Sequence, residues 1–130
     1  MATLWPLEEG EAEELFALPA ADRAIQFFQL LADWEEAWGL KDAQGWVVDK
    51  KSDALPLWPH SELAEICAIQ IWPDATPEAI SLDDLLIDLL PLLAAESLSL
   101  AVFPSPTDPG LLLSPIEAAD RLESELQIAE

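Results

Sequence analysis

Apolar residues first recur at helical spacing between positions 22 and 34. The repeating residues are Ala24, Phe27, Phe28 and Leu31. Side chains three and four positions apart share one face of an α-helix, and Pro19 suits a first turn. The pattern predicts a first helix over 22–34.

The hydrophobic period shortens after Glu36. Short apolar runs separated by turn residues predict a meander of three strands at 37–40, 46–48 and 54–58. Proline cannot donate a hydrogen bond to a strand ladder, so Pro56 places the third strand at a sheet edge or at a bulge.

Helical spacing returns in two later segments, 62–71 and 82–95, with a loop at 73–77 between them. Ser81 and Asp84 form a capping-box pattern at the start of the second segment. Pro91 removes one backbone hydrogen bond and is expected to bend or end that helix.

The C-terminal third predicts a central strand at 98–103, a returning strand at 111–113 and a last helix over 115–128 capped by Ser114 and Glu117. We expect Ala119, Leu122 and Leu126 to face inward. The order α-β-β-β-α-α-β-β-α is typical of an α+β domain. It predicts a small, mostly antiparallel sheet, a three-strand meander plus a second strand pair, with helices packed on it.

One domain accounts for the whole length of 130 residues. Five glutamates between Glu8 and Glu14 have no basic neighbour, which predicts a flexible acidic lead-in over 1–17 with Trp5 as its anchor. The folded domain is then expected over 18–130.

The chain is strongly acidic and also apolar. It carries 26 acidic and five basic residues, a formal net charge of -21, and 52% hydrophobic residues. The apolar content is enough for a packed core. Five scattered bases form no phosphate-binding stripe, which excludes direct nucleic-acid binding by charge and argues against anionic membranes.

Catalytic constellations are poorly matched. Cys67 and His60 are seven positions apart, about two helical turns or 10 Å, beyond hydrogen-bond reach. Cys67 is expected to be a quiet, buried residue and His60 a turn or N-cap residue. With 26 acids present, neighbouring pairs such as Glu35 and Glu36 are expected by chance rather than as a glycosidase pair.

Cofactor and metal sites are also poorly matched, and no cofactor is predicted. The four glycines stand singly, so no phosphate-binding loop is present. Asp42, Asp49 and Asp53 do not have the spacing of a calcium-binding EF-hand.

Tryptophan is the remaining candidate for recognition. Most of the six tryptophans are expected in the core, but one or two exposed beside carboxylates would suit a partner-binding hot spot. The partner-binding candidates are Trp38, Trp58, His60 and Trp72.

A cytoplasmic location is expected. The single cysteine excludes an internal disulfide, the N-terminal residues lack the basic and apolar regions of a signal peptide, and no apolar run reaches about 20 residues.

Several short motifs together resemble the bacterial domain-of-unknown-function 2750 family. The motifs are Trp38-x-Leu40, the Asp42 to Gly45 turn, Leu55-Pro56-Leu57-Trp58-Pro59-His60, Ala64 with Cys67, Trp72, Ser81-Leu82-Asp83, and Val102-Phe103-Pro104 with Gly110 and Pro115. The resemblance runs from about residue 20 to the C-terminus. Lys50-Lys51 and the extra acidity depart from it. It implies a small bacterial cytosolic α+β domain and carries over no reaction.

We therefore expect a non-enzymatic interaction protein, immunity-like or adaptor-like, that binds a basic protein partner. Two alternatives stay open. The first is a DNA mimic that inhibits a nucleic-acid-binding protein, and the second is a hydrolase that uses acidic residues with His60. The oligomeric state is open as well.

Overall fold

The computed structural model describes residues 7–129, which fold into helices and two small sheets. In chain order the elements are α1 (Glu11–Ala17), α2 (Ala20–Trp34), β1 (Glu36–Asp42), β2 (Gly45–Trp46), β3 (Ala54–Leu57), α3 (Ser61–Ile71), β4 (Thr76–Ser81), α4 (Leu82–Asp84), a π-helical turn (Leu85–Leu89), α5 (Leu90–Ala95), β5 (Ser99–Val102), β6 (Leu111–Leu113) and α6 (Pro115–Ala129). The segments over 82–95 are contiguous. The predicted α+β class and its mostly antiparallel pairing are confirmed.

The strands form two sheets with the orders β2-β1-β4 and β3-β5-β6. The third predicted strand therefore does not extend the β1–β2 hairpin. It pairs in parallel with β5, Leu55 opposite Leu100. All four residues of β3 are buried, as in a strand covered on both faces, which favours parallel pairing. β3 is still an edge strand, as Pro56 predicted.

Backbone hydrogen bonds join the two sheets just beyond the end of β3. The Trp38 amide donates to the Trp58 carbonyl at 2.8 Å, and the Trp58 amide donates to the Trp38 carbonyl at 2.7 Å. Trp58, the last residue of the third predicted strand, thus contacts the first strand through one isolated bridge rather than through a ladder.

Two elements were not predicted from the pattern. β4 pairs antiparallel with β1 over six residues, although its first residues had been predicted as loop. Its side chains are exposed or half-buried apart from Ile80, so it has no clear period of two. α1 lies in the acidic lead-in, where Phe16 packs edge-on against Phe103 with ring centroids 5.8 Å apart. Trp5 lies outside the described residues.

Side-chain caps fix three helix starts. His60 Nδ1 accepts from the Glu62 amide at 3.1 Å, and Ser81 Oγ accepts from the Asp84 amide at 3.1 Å. Ser114 and Glu117 cap each other reciprocally, and the Ser114 backbone hydrogen bond lowers the pKa of the Glu117 carboxyl.

The helix over 82–95 does not end at Pro91. The π-helical turn lies just before it.

Gly110 provides a stability test. Its backbone has φ +79°, and a Cβ atom added at this position would clash with the Val102 carbonyl oxygen and lie 3.0 Å from Pro104 N. Gly10 has a similar φ of +85° with nothing within 4 Å of that position. We expect Gly110→Ala to lower the free energy of unfolding by about 1 to 3 kcal/mol more than Gly10→Ala, because only the first adds a clash. Equal urea midpoints for the two variants would contradict this.

Candidate functional site

A sharp corner follows β5 at Phe103 and Pro104. Phe103 has φ +52°, a left-handed conformation that non-glycine residues seldom adopt, while its amide donates to the Leu57 carbonyl at 2.9 Å. This conformation turns the chain away from the sheet. The Pro104 carbonyl then accepts from Trp58 Nε1 at 2.9 Å and lies 3.6 Å from Cys67 Sγ.

Arg23 holds the other side of this corner. Its side chain is buried, and Nε donates to the Phe103 carbonyl at 2.9 Å. One terminal nitrogen donates to the carbonyls of Phe16 and Leu18, and the other pairs with the Asp108 carboxylate. One guanidinium thus ties the α1–α2 connection to the loop after β5.

This role was not predicted, because Arg23 is one of five basic residues that are scattered along the sequence. The sequence nevertheless indicates that Arg23 is not an ordinary surface base. Arg23 lies four positions before Phe27, on the inward face of the predicted helix, where a solvated charge is not expected.

A hydrogen-bonded turn at 105–110 continues from the corner. Ser105 Oγ accepts from the amides of Thr107 and Asp108 at 3.2 and 3.1 Å, and it donates to Asp108 Oδ2 at 3.2 Å. Asp108 Oδ1 accepts from the Gly110 amide at 2.7 Å. The Ser105 hydroxyl therefore serves the turn and is poorly placed to act as a nucleophile.

Beside this turn lies an open groove of about 530 Å³, which we call the Trp72 groove. Its apolar wall consists of Pro56, Ile71, Trp72, Ala101, Pro104, Pro106 and Pro109. Its polar borders are Asp49, Lys51 and Ser52 from one turn, and Ser105, Thr107 and Asp108 from the other. Four separate parts of the chain build it, so its shape depends on the tertiary fold.

The border formed by Asp49, Lys51 and Ser52 is organised by a carboxylate, like the border at Ser105. Asp49 Oδ1 accepts from the Lys51 amide at 3.0 Å, and Oδ2 accepts from Ser52 Oγ at 3.1 Å. The Asp49 and Ala54 backbones also bond to each other. Both borders are thus held in shape by internal hydrogen bonds.

Of the four partner-binding candidates, the structure places only Trp72 in the groove. Trp58 is 0% exposed and lies behind Trp72, with ring centroids 6.3 Å apart and edge-on geometry. His60 is buried at the start of α3. Trp38 is half-buried on β1 and bonds to Trp58 through the backbone. Trp58 therefore lies in the core and His60 at a helix cap, and Trp72 is the candidate that lines the groove.

Cys67 is buried as predicted, and its thiol faces the Pro104 carbonyl. Burial raises the pKa of this thiol from 9.0 to about 12. Asp42, Asp49 and Asp53 form no metal-binding group within residues 7–129.

We expect native Cys67 to react slowly with a thiol reagent at pH 8 and fast after denaturation, because the thiolate is both scarce and shielded. The unfolded thiol loses its proton near pH 9.0, while the folded thiol keeps it up to about pH 12. The stabilisation that comes from keeping this thiol neutral is therefore fully present below pH 9.0. It is lost as the pH rises from 9.0 toward 12, because the unfolded thiol then releases its proton while the folded one keeps it. Rapid labelling of the native protein would contradict the assignment.

Two of the five basic residues lie over aromatic rings. Lys41 Nζ lies 4.6 Å from the centroid of the Trp46 ring, and the Arg121 guanidinium lies 4.9 Å from that of Phe28. Within residues 7–129 the Arg23–Asp108 pair is the only ion pair between side chains. In this part of the chain only the Asp108 carboxylate is therefore paired with a basic side chain, and the excess negative charge behind the net charge of -21 lies on unpaired acids.

Added salt is expected to stabilise the protein. Self-repulsion among unpaired carboxylates opposes the compact state, and ions screen it. Thermal melting between about 10 mM and 300 mM NaCl should move to higher temperature. A flat series, or one that falls, would contradict the uncompensated charge, and the same series in a neutral osmolyte controls for preferential exclusion.

Comparison with known families confirms the resemblance predicted from the motifs. The model of the family described as protein of unknown function (DUF2750) matches residues 24–122, a range that contains both sheets, the Phe103 corner and the Trp72 groove. Comparisons with curated proteins and with solved structures found no match. None of the helices within residues 7–129 has the length and apolar character needed to cross a bilayer.

Proposed function

The chain belongs to the DUF2750 family, whose function is unknown, and we propose that it is a non-enzymatic interaction module that binds a basic protein partner. The observation that carries this proposal is the uncompensated negative charge. A field of one sign steers a partner of opposite sign and speeds its association.

The Trp72 groove supports the proposal by offering an apolar anchor within this charged surface. Ile71 is 43% exposed at the end of α3, next to the half-buried Trp72. Buried aromatic anchors surrounded by polar residues provide most of the energy in many protein interfaces. A basic partner would then gain both long-range attraction and a specific contact.

The state of the nucleophile candidates is in keeping with a binding role. Cys67 is buried with a raised pKa, and the Ser105 hydroxyl is engaged by its own turn. The only histidine caps α3 through Nδ1. We propose a cytoplasmic location with this function, because a reducing compartment suits the single free thiol.

Affinity capture from the source cells, followed by reconstitution with the purified partner, tests the proposal. We expect a captured protein of high pI that binds directly and is released as NaCl rises from about 50 to 500 mM, because salt screens the attraction. An acidic partner, or binding indifferent to salt, would contradict the proposal. Competition by duplex DNA for the same partner would favour the DNA-mimic alternative instead.

A further inference from the structure

The Trp72 groove has two kinds of surface that a single side chain could contact at once. The apolar wall, including Trp72 and Pro104, can cover a methylene stem, while Asp49 and Asp108 stand in its polar borders. Arginine combines a long apolar stem with a planar cation that stacks on aromatic rings and bonds to carboxylates. The groove chemistry therefore matches arginine better than an acidic or a purely apolar side chain.

The two carboxylates keep hydrogen-bonding capacity for a ligand, and each oxygen of Asp49 accepts one hydrogen bond among the described contacts. The Asp108 side chain is 41% exposed, although Oδ1 is occupied by Arg23 and the Gly110 amide. Oδ2 accepts only from Ser105 among the described contacts, and each carboxylate oxygen can accept two hydrogen bonds. Arg23 itself is buried beneath, so a ligand would meet the carboxylate first.

Lys51 is the one exposed cation that lines the groove, and it opposes a cationic ligand. Its side chain has no ion pair within the described residues. Because the lining also holds Asp49 and Asp108 and the chain has a net charge of -21, the repulsion from Lys51 is expected to lower the affinity rather than to reverse the preference. This makes Lys51 a useful position for a test, since changing it breaks no side-chain ion pair within the described residues.

The shape of the groove is also fixed before a ligand binds. Both polar borders are closed by their own hydrogen bonds, and four prolines in its wall have a fixed φ. A preorganised site loses little conformational entropy when a ligand binds.

We propose that the Trp72 groove docks an arginine-bearing segment of the partner, with the arginine stem on Trp72 and its guanidinium at Asp49 or Asp108. This inference rests on the proposed function, because it names the part of a basic partner that is recognised and the surface that recognises it.

The probe is a short synthetic peptide that alternates arginine and alanine, titrated into the whole protein and followed by amide chemical shifts. We expect shifts concentrated in residues 49–52 and 104–109, and weaker binding of the lysine analogue. Asp49→Asn should weaken binding roughly 2- to 5-fold and Lys51→Glu should tighten it roughly 2- to 10-fold. Trp72→Ala should weaken it roughly 30-fold.

Asp84→Asn and Trp34→Ala are matched controls outside the groove, and neither should change the affinity more than roughly 2-fold. Urea midpoints identify any variant that has lost its fold, and Lys51→Glu keeps the test valid if Trp72→Ala unfolds. Equal binding of a glutamate analogue, or shifts elsewhere with no response to Lys51→Glu, would overturn the inference. Salt-sensitive capture of a basic partner would still stand in that case, so the two failures are distinguishable.

Discussion

Arg23→Ala is expected to lower the free energy of unfolding by about 3 to 5 kcal/mol, because several backbone carbonyls lose a buried donor and a pair that is buried only on the arginine side is broken. The Arg23 side chain is 2% exposed, and it bonds to three backbone carbonyls as well as to Asp108. Removing it leaves those acceptors without their donor and also opens a cavity. An unsatisfied buried polar group alone costs about 1 to 3 kcal/mol.

Denaturant midpoints at fixed pH and salt measure this effect. Arg121→Ala is the matched control, because Arg121 is partly exposed and lies over Phe28 with no ion pair inside residues 7–129, and it should cost about 1 kcal/mol or less. Arg23→Lys should recover only part of the loss, since an ammonium lacks the fork that reaches several carbonyls at once. An Arg23→Ala protein within about 1 kcal/mol of wild type would contradict the role given to Arg23.

Adding Asp108→Asn to Arg23→Ala separates the charge from the carbonyl contacts. If the unpaired carboxylate dominates the loss, the second substitution restores much of the stability, because an amide costs less to leave unpaired than a charge. If the carbonyls of Phe16, Leu18 and Phe103 dominate, the double variant remains as unstable as the single one. The result tells which contact holds the corner after β5.

Local signals were enough to predict the long elements of this fold. Helical spacing identified α2, α3 and α6, and the capping patterns at Ser81 and Ser114 are present as hydrogen bonds. Pro56 correctly placed β3 at an edge. These features depend on neighbours within a few positions, which is the range over which sequence patterns carry information.

The strand partners depended on contacts that are distant in sequence. Ala54 pairs with Ser99, which lies about 45 positions away, and no local pattern selects that partner over β2. β4 escaped prediction because only Ile80 is buried, so the alternation that identifies a strand is absent. The first error concerns a partner that is distant in sequence, and the second concerns a strand without alternating burial.

The candidate site was only partly predictable for the same reason. Trp72 could be named as an aromatic hot-spot candidate, but nothing local shows that the turns at Asp49 and Ser105 come beside it. Trp58 and His60 belong to the same motif and have different positions, one behind Trp72 and one at a helix cap. Which tryptophan is accessible depends on packing, and residue type does not reveal it.

Trp58→Ala is expected to cost about 3 to 5 kcal/mol, the range for emptying a large aromatic site in a core. The residue is 0% exposed, its indole nitrogen donates to the Pro104 carbonyl, and its ring supports Trp72. Trp58→Phe keeps most of the apolar volume and removes the donor, so it should cost less than Trp58→Ala. His60→Ala removes an N-cap acceptor, for which about 0.5 to 2 kcal/mol is expected.

Trp34→Ala is the matched control for Trp58→Ala, since Trp34 is 36% exposed and its loss should cost roughly 1 kcal/mol or less. Denaturant midpoints of the four variants beside wild type measure the order Trp58→Ala, then Trp58→Phe and His60→Ala, then Trp34→Ala. A Trp58→Ala protein as stable as wild type would contradict the architectural role. It would return Trp58 to the partner-binding candidates, because a tryptophan that adds nothing to stability needs another reason to stand behind the groove.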